Sequence, residues 1–332
     1  MNLILRLKKV IETGNLPYGE PMDFFSKWLI IVRANFFSIT PTSVLIGGLL
    51  ALLYTKSINL IDLLIILIGM LFAHSAFNMV NDFYDYKYGL DSGDYTRMKY
   101  SPHPLATKMV DERQFIIAIF VFLFIDTLIM WYFYIKVGFG ILIIAFLGFL
   151  LGFFYTAPPL KLKYFGGLGE PAVFLVWGPL ITIGTYFALT GFVSLKVLFV
   201  SFPYGLIVLG LLLSDHLNKY EDDKKRNVRT LPVVLGFTKA QKFTKFILIL
   251  FYILIIIFVF LKFIPVFTLI TFFSFKKFMD LLKILSSPKP ALSEENKEIL
   301  PFWYVFWFFR FSKSVSFLLV VGLFIGFLLP NL

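Results

Sequence analysis

Long, unbroken runs of apolar residues dominate the chain and alternate with shorter polar or charged segments. Most runs reach the roughly 20 residues that a helix needs to cross a bilayer. They lack the apolar–polar alternation of a membrane β-barrel, so they predict helices. The pattern predicts an all-α transmembrane bundle of about nine helices. These helices are predicted over 28–55, 62–86, 114–135, 138–156, 171–190, 194–214, 243–263, 264–275 and 314–330.

The eighth predicted helix is short and opens with Pro265, so we expect a half-length element or one that extends toward Leu285. Residues 1–27 are mixed and charged, which predicts an N-terminal segment ahead of a single transmembrane domain over 28–332. The composition agrees, with 59% hydrophobic and 15% charged residues. A soluble domain has roughly 25% charged residues.

The distribution of basic residues predicts the orientation of the bundle. If the N-terminus lies in the cytoplasm, all but four of the 31 Lys and Arg residues fall on the cytoplasmic side. Such a bias is typical of the cytoplasmic loops of membrane proteins. It therefore accounts for the net charge of +11 without a nucleic-acid partner. The four exceptions, one near each predicted outer loop, are Lys56, Lys136, Lys196 and Lys262.

Two acidic clusters, over 78–94 and 215–223, lie at the cytoplasmic ends of two predicted helices. On a helix, Asn78, Asp82 and Asp85 share one face. Neighbouring carboxylates repel one another and need cations to offset their charge. The chain has no cysteine and only three histidines, so oxygen ligands and Mg²⁺ are expected. Basic residues follow each cluster, and the combination predicts a metal–diphosphate site.

Three other interpretations of these charges compete with a metal–diphosphate site. Either cluster alone could be a solvated helix end with ordinary ion pairs. A transporter would place its charges near the middle of the bilayer. Here the charges lie at one face, which disfavours transport, and a non-catalytic scaffold would not need two matched clusters.

Several segments resemble the UbiA superfamily of membrane prenyltransferases over about residues 28–330. The segment NDFYDY at 81–86, with Gly89 and Asp91, is similar to the family's first Asp-rich motif. YEDD at 220–223, followed by TLPVVLG at 230–236, is similar to the second motif and its tail. YTAPPLKLKY at 155–164 resembles the branch that prenylates 1,4-dihydroxy-2-naphthoate.

The resemblance implies Mg²⁺-dependent transfer of a polyprenyl group from its diphosphate to 1,4-dihydroxy-2-naphthoate, within the cell membrane and facing the cytoplasm. The implied partners are a polyprenyl diphosphate, an aromatic acceptor and the lipid bilayer. Alternative acceptors are 4-hydroxybenzoate, homogentisate and an archaeal glycerol prenyl ether. The metal ligands it implies are Asp82, Asp85, Asp91, Asp215, Asp222 and Asp223.

The other implied site residues act on the substrates. Tyr155 would shield an allylic cation, and Lys163 would act with Asp82, Asp85 and Asp223 in catalysis. The residues implied to bind substrate are Arg33, Asn78, Asn81, Arg97, Lys99, Lys161, Lys219 and His216.

Four positions depart from the family's pattern, one of which is Asn227 in place of a loop Gly. Lys219 stands where many members carry the first Asp of the second motif. Either Asp215 or Asp222 supplies the missing oxygen ligand, or Lys219 contacts the diphosphate itself. His103 stands where an Arg is common and Lys108 where a Gly is common.

Overall fold

The computed structural model describes residues 1–16, 19–90, 94–99, 101–291, 293, 296 and 299–330, with Lys99 described by its backbone alone. This part of the chain is helical and contains no strand, so the predicted all-α class is confirmed. Its α-helices are α1 (Leu3–Thr13), α2 (Phe24–Ile31), α3 (Ile39–Thr55), α4 (Leu60–Lys87), α5 (Glu112–Val137), α6 (Gly140–Phe153), α7 (Gly169–Leu175), α8 (Ile181–Thr190), α9 (Leu195–Asn218), α10 (Tyr220–Lys225), α11 (Leu231–Leu235), α12 (Phe237–Phe260), α13 (Phe275–Ile284) and α14 (Trp303–Leu328).

Seven helical stretches of the described chain are long and apolar enough to cross a membrane. They are Ala34–Thr55, Leu60–Lys87, Glu112–Val137, Gly169–Thr190, Leu195–Asn218, Phe237–Phe260 and Leu300–Leu328. The shorter helix α6 is also apolar. The protein is therefore a multi-pass membrane protein, as predicted. The number of about nine crossings and the cytoplasmic N-terminus stay predictions.

The eighth predicted helix takes the second of its two expected forms and extends past residue 275 toward Leu285. It forms a 3₁₀ helix over Val266–Ser274 and runs on into α13. The start of this segment lies beside the end of α14, where a Cβ on Gly326 would lie 2.1 Å from the Cβ of Pro265. Its other end reaches the start of α14, where the Tyr304 hydroxyl donates to the Ser287 carbonyl at 3.0 Å. The segment therefore runs antiparallel along α14.

Helix α14 begins at Trp303, ahead of the predicted start at residue 314. Arg310 and Lys313 consequently lie inside a helix that carries an apolar surface. Both cations lie over aromatic rings: the Arg310 guanidinium is 5.3 Å from the Trp307 ring and the Lys313 ammonium 4.3 Å from the Phe309 ring. Long basic side chains can extend along apolar surface while their charge stays near the interface. The basic residues therefore do not end the helix.

The first predicted transmembrane helix is broken near its start. α2 ends at Ile31, and Arg33 adopts the left-handed conformation with φ 57° before α3 begins. A non-glycine residue rarely takes this conformation unless its surroundings hold it. Here the Arg33 guanidinium is bonded to Asp82 on α4. The break thus turns a cation from the first helix toward the acidic end of α4.

A second break separates α7 from α8. Residues Val176–Leu180 form a π-helical turn that contains Pro179. Proline has no backbone N–H to donate, so a helix rearranges around it. In the turn, the Trp177 carbonyl accepts a hydrogen bond from the Ser43 hydroxyl at 2.6 Å. This contact ties α3 to the turn, and the Trp177 side chain faces an internal cavity.

Replacing Gly322 by Ala is expected to destabilise the bundle. A Cβ there would lie 2.7 Å from both the Phe267 carbonyl oxygen and the Thr268 Cα, which are backbone atoms that cannot rotate away. Overpacking of this kind costs about 1–3 kcal/mol, so the unfolding midpoint in detergent should fall. Gly148→Ala is the control, because its Cβ would meet nothing within 4 Å. Equal midpoints for both variants would contradict the close contact.

Candidate active site

A cavity of about 230 Å³ opens between α3, α4, α9 and the break at residues 176–180. Along both α4 and α9, the residues that line the cavity change from apolar to polar toward the C-terminal end of the helix. On α4 the lining passes from Phe77 to Asn81 and Asp85. On α9 it passes from Val208 to Asp215. The cavity therefore has an apolar part between helices and a charged part at one end of the bundle.

Asp82 lies behind the charged wall and anchors two guanidinium groups. Its carboxylate is fully buried, and Arg97 contacts it at 2.7 and 3.0 Å. Arg33 binds both oxygens of the same carboxylate. The two Arg side chains line the cavity, whereas Asp82 is not among the described residues of its wall. In this structure Asp82 fixes the position of two cations.

Asp85 faces the cavity and has partners on both oxygens. The Lys163 ammonium lies 2.6 Å from Oδ2, and the Tyr164 hydroxyl donates to Oδ1 at 2.6 Å. Lys161, two residues earlier, is turned to another surface, with its ammonium 3.9 Å from the centre of the Tyr88 ring. The structure thus separates two lysines that the sequence grouped together. Lys163 belongs to the cavity wall, and Lys161 is not among the described lining residues.

Tyr155 lies in the cavity wall close to several carboxylates. Burial raises the pKa of Tyr155 well above its ordinary value, and the charges of Glu170, Asp85 and Asp215 raise it further. The phenol consequently stays protonated near neutral pH. Tyr155 therefore offers a neutral aromatic face and a hydroxyl group to the cavity.

The acids of the second cluster are directed to three different partners. The Lys219 ammonium lies 2.5 Å from Oδ2 of Asp215, and both side chains line the cavity. Asp222 points away from the cavity, where its Oδ2 accepts from the Thr96 N–H at 2.9 Å and from the Thr96 hydroxyl. The sequence places these acids in one cluster, but the structure distributes them.

Asp223 is the last acid of this cluster; it is not among the described lining residues of the cavity, and it has one oxygen without a hydrogen-bond partner. The Tyr95 hydroxyl donates to Oδ1 at 2.7 Å, whereas Oδ2 is buried with no hydrogen-bond partner among the described residues. Burial raises the pKa of Asp223, and the nearby Lys219 charge opposes that shift. An unpartnered buried carboxylate oxygen is costly, so Oδ2 is the atom most in need of a cation.

His216 and Glu170 form a buried pair beside the cavity. Nδ1 of His216 lies 2.7 Å from Oε1 of Glu170, and the Leu231 N–H donates to the same oxygen at 2.7 Å. Glu170 thereby joins the start of α7 to the tail of the second motif. His216 lines the cavity, and its role in substrate binding stays a prediction.

Asn78 and Asn81 also line the cavity, as the motif pattern implied. The Asn78 amide donates to the Val32 carbonyl at 3.0 Å and so supports the break in the first helix. Asp91 and the side chain of Lys99 lie outside the described residues. Their predicted roles stay predictions, as do the individual roles of the other predicted site residues.

Sequence reasoning missed many lining residues, among them the polar Tyr95, Asn35 and Ser101. Tyr95 is separated from its partner Asp223 by 128 positions. No periodicity or local motif signals such a contact. Asn35 and Ser101 lie near the break of the first helix and in the loop after α4. Those segments could be identified as polar and close to the site, but not residue by residue.

The partners of the carboxylates decide how well the site fits Mg²⁺. The described residues contain no group of three or more His, Cys, Asp or Glu side chains that could hold a metal by themselves. Asp85 and Asp215 are the acids among the described lining residues, so they are the carboxylates that can meet a metal ion in the cavity. Mg²⁺ is often held by one or two carboxylates together with substrate phosphates. Asp85 is bonded to Lys163 and Tyr164, and Asp215 to Lys219, so a metal ion would compete with these partners. Asp222 and Asp223 are not among the described lining residues, and Asp223 keeps an unpartnered Oδ2.

Comparisons with known proteins agree with this architecture. The sequence profile of the UbiA prenyltransferase family matches residues 41–281. The chain is 25% identical to 1,4-dihydroxy-2-naphthoate octaprenyltransferase of Bacillus subtilis, over 63% of this chain and 66% of that protein. It is 28% identical to UbiA prenyltransferase domain-containing protein 1 of Dictyostelium discoideum, over 70% of this chain and 72% of that protein.

Solved structures share the fold. A UbiA homologue from Archaeoglobus fulgidus, solved with GPP and Mg²⁺, superposes with a TM-score of 0.62 at 17% identity. That match covers 88% of this chain and 99% of the other. A UbiA homologue from Aeropyrum pernix K1 superposes with a TM-score of 0.63 at 15% identity, over 87% of this chain and 98% of the other.

Proposed function

The chain belongs to the UbiA prenyltransferase family and is an intramembrane prenyltransferase, and on that premise we propose its substrates. The proposed reaction transfers a polyprenyl group from its diphosphate to 1,4-dihydroxy-2-naphthoate, a step of menaquinone biosynthesis. One observation carries the proposal: the cavity places four cations at its charged end and continues into an apolar part between helices. The four cations are Arg33, Arg97, Lys163 and Lys219.

The charged end suits the diphosphate of the donor. Arg33 and Arg97 are held side by side by Asp82, which favours binding of phosphate oxygens by both guanidinium groups. Lys163 is close to Asp85, so an incoming phosphate competes with that carboxylate for the ammonium. These fixed cations stabilise the negative charge that grows on the diphosphate as it departs. Electrostatic stabilisation of a leaving group is usually the largest catalytic contribution.

Asp85 and Asp215, the acids among the described lining residues, would hold Mg²⁺, with Asp91 and Asp223 as further predicted ligands, and the ion would supply positive charge to the diphosphate oxygens. That metal requirement is supported by the structure of the Archaeoglobus homologue with GPP and Mg²⁺. The chain's own cations act on the same leaving group.

The reaction breaks the bond between C1 of the allylic donor and its diphosphate oxygen, and the bonding electrons leave with the diphosphate. Tyr155 and Trp177 line the cavity, and their neutral rings can face the allylic cation that forms. A carbon of the acceptor ring then attacks C1. The ring regains aromaticity by losing the proton, or the carboxylate as CO₂, from that carbon.

The apolar part of the cavity suits the isoprenoid chain. It is lined by side chains of the turn before α3 and of α3, α6, α7, α9 and α14, namely Phe36, Ile39, Leu151, Val173, Val208, Leu211, Leu212 and Val305. Burial of apolar surface between helices favours such a chain over a soluble substrate. The surrounding bilayer is then the reservoir for the donor. The distribution of basic residues predicts that the site lies at the cytoplasmic face of the cell membrane.

The choice of acceptor rests on the Bacillus relative, which is named for its use of 1,4-dihydroxy-2-naphthoate. A different acceptor, 4-hydroxybenzoate, homogentisate or a glycerol prenyl ether, is the alternative within the same reaction. A digeranylgeranylglyceryl phosphate synthase shares the fold, with a TM-score of 0.62 at 19% identity. Fold similarity of this kind does not distinguish the acceptors.

Purified protein in detergent, given a labelled long-chain prenyl diphosphate and 1,4-dihydroxy-2-naphthoate, is expected to form a prenylated naphthoquinol. The product should require Mg²⁺ and disappear with EDTA, because the metal neutralises the leaving group. Parallel reactions with 4-hydroxybenzoate, homogentisate and a glycerol prenyl ether serve as controls. Product with one of these acceptors alone would contradict the naphthoate assignment. A folded protein that turns over no prenyl diphosphate would contradict the proposal altogether.

A further inference from the structure

His74 is a polar side chain within the membrane-spanning part of α4, and it lines the cavity about one helical turn before Asn78. The residue is 5% exposed. An ionisable side chain is costly inside a membrane-spanning helix, and such residues usually serve a function. No step of the proposed reaction uses His74, so its place in the cavity wall needs a separate explanation.

The imidazole ring of His74 is held in place by contacts from two other segments. Its Nδ1 atom lies 2.8 Å from the hydroxyl oxygen of Thr40, which is fully buried. The ring centres of Phe37 and Trp177 lie 5.4 and 4.9 Å from the centre of the imidazole. A side chain that is already ordered loses little conformational freedom when it binds a ligand. The ring is therefore prepared to meet a substrate in one fixed orientation.

The Nε2 atom is the hydrogen-bonding group that His74 offers to the cavity. Thr40 occupies Nδ1, and the described residues give Nε2 no hydrogen-bond partner. A neutral imidazole has one donor and one acceptor nitrogen, and the bond at Nδ1 decides which of the two Nε2 is. In either tautomer Nε2 can form one hydrogen bond. A cavity filled only by apolar groups would leave that bond unmade, which is costly for a buried polar atom.

The position of His74 indicates which substrate supplies the partner. An isoprenoid chain has no hydrogen-bonding group. The diphosphate belongs at the charged end, and Asp85 lies eleven residues after His74, which corresponds to about 16 Å along a helix. An aromatic acceptor carries ring hydroxyl groups together with apolar ring faces. Trp177, which contacts the imidazole, and Phe77 both line the cavity, and aromatic rings pack well against one another.

We propose that Nε2 of His74 forms a hydrogen bond with a ring hydroxyl of the aromatic acceptor. The inference rests on the proposed function, because it assumes an acceptor that carries such a hydroxyl. The bond holds the acceptor ring on the apolar side of Asn78, facing the allylic carbon that is released at the charged end. It also favours hydroxylated rings over rings that lack the hydroxyl, because these leave Nε2 without a partner.

Two substitutions separate the roles of the two ring nitrogens. Asn is short, so its amide can replace Nδ1 beside Thr40 but does not reach the position of Nε2. Gln reaches the position of Nε2 and loses the contact with Thr40. With a long-chain prenyl diphosphate and 1,4-dihydroxy-2-naphthoate, we expect His74→Asn to raise the KM for the acceptor about tenfold or more and to leave the KM for the donor unchanged. His74→Gln should retain most of the acceptor affinity.

Acceptor analogues identify the hydroxyl group that meets Nε2. The compounds 1-hydroxy-2-naphthoate and 4-hydroxy-2-naphthoate each lack one ring hydroxyl and are tested as competitive inhibitors. The analogue that keeps the bonded hydroxyl should bind about tenfold more weakly to His74→Asn than to the unaltered protein. The other analogue should bind equally to both proteins. Equal changes for the two analogues would overturn the inference.

The outcomes separate the inference from the function on which it rests. A role confined to packing predicts the reverse order of the two variants, because only Asn keeps the contact with Thr40. An unchanged acceptor KM in His74→Asn, or a larger rise in His74→Gln, would therefore overturn the inference and leave the prenyltransferase function standing. Absence of naphthoate prenylation by the unaltered protein would contradict the proposed acceptor instead. If His74→Asn does not fold, His74→Met, which removes both nitrogens, takes its place in the same comparison of the two KM values.

Discussion

Asp223→Asn is expected to lower prenyl transfer by about 100-fold or more while leaving the fold intact. The substituted amide keeps an oxygen that can accept from the Tyr95 hydroxyl, as Oδ1 does at 2.7 Å. It replaces the unpartnered Oδ2 with an NH₂ group, which cannot bind a cation. The loss therefore concerns charge and metal binding alone. Steady-state turnover at saturating Mg²⁺ measures the loss of activity. The unfolding midpoint in detergent measures whether the fold stays intact.

Asp222→Asn is the matched control for that variant. Neither acid is among the described lining residues, but Oδ2 of Asp222 accepts from Thr96, whereas Oδ2 of Asp223 has no hydrogen-bond partner. We expect a stability loss of about 1 kcal/mol from the weakened hydrogen bonds and only a small change in turnover. If Asp222→Asn abolished turnover and Asp223→Asn did not, the metal ligand would have been assigned to the wrong acid.

The helices could be predicted from the sequence because a bilayer imposes long apolar runs that need no tertiary information. The breaks within them could not be predicted in the same way. Arg33 lies within an apolar helical pattern, and its left-handed backbone is held by Asp82, which is 49 positions away. Pro179 could mark a disturbance of its helix. The sequence around Pro179 does not show that the Ser43 hydroxyl would donate to the Trp177 carbonyl.

The composition of the site could also be predicted, but the pairing of its charges could not. Every Asp, Lys and Arg among the described lining residues of the cavity was named as a candidate. Whether an acid is free for a metal depends on which side chain reaches it, and those partners come from distant segments. Lys163 reaches Asp85 from 78 positions away, and Tyr95 reaches Asp223 from 128. Sequence spacing gives helix faces, whereas such contacts depend on how the helices pack.

Asp82→Ala is expected to lose stability and activity together, which distinguishes it from Asp223→Asn. Asp82 is fully buried and bonds to both Arg33 and Arg97. Removing it leaves two guanidinium groups close together without their anion. Breaking a buried ion pair by removing one partner costs about 3–5 kcal/mol. The unfolding midpoint should therefore fall sharply, and the KM for the prenyl diphosphate should rise because both cations lose their fixed positions.

Asp62→Ala, a variant on the same helix, separates the loss of stability from the rise in the KM for the prenyl diphosphate. Asp62 is also a buried acid with a cationic partner, Lys136, and it accepts from the Tyr132 hydroxyl at 2.9 Å. It lies twenty residues before Asp82, which corresponds to about 30 Å along a helix. Asp62→Ala should lower the unfolding midpoint but leave the KM for the prenyl diphosphate unchanged. If the two variants raised that KM equally, Asp82 would act on the substrate only through global stability. A rise confined to Asp82→Ala would assign it the positioning of Arg33 and Arg97 against the diphosphate.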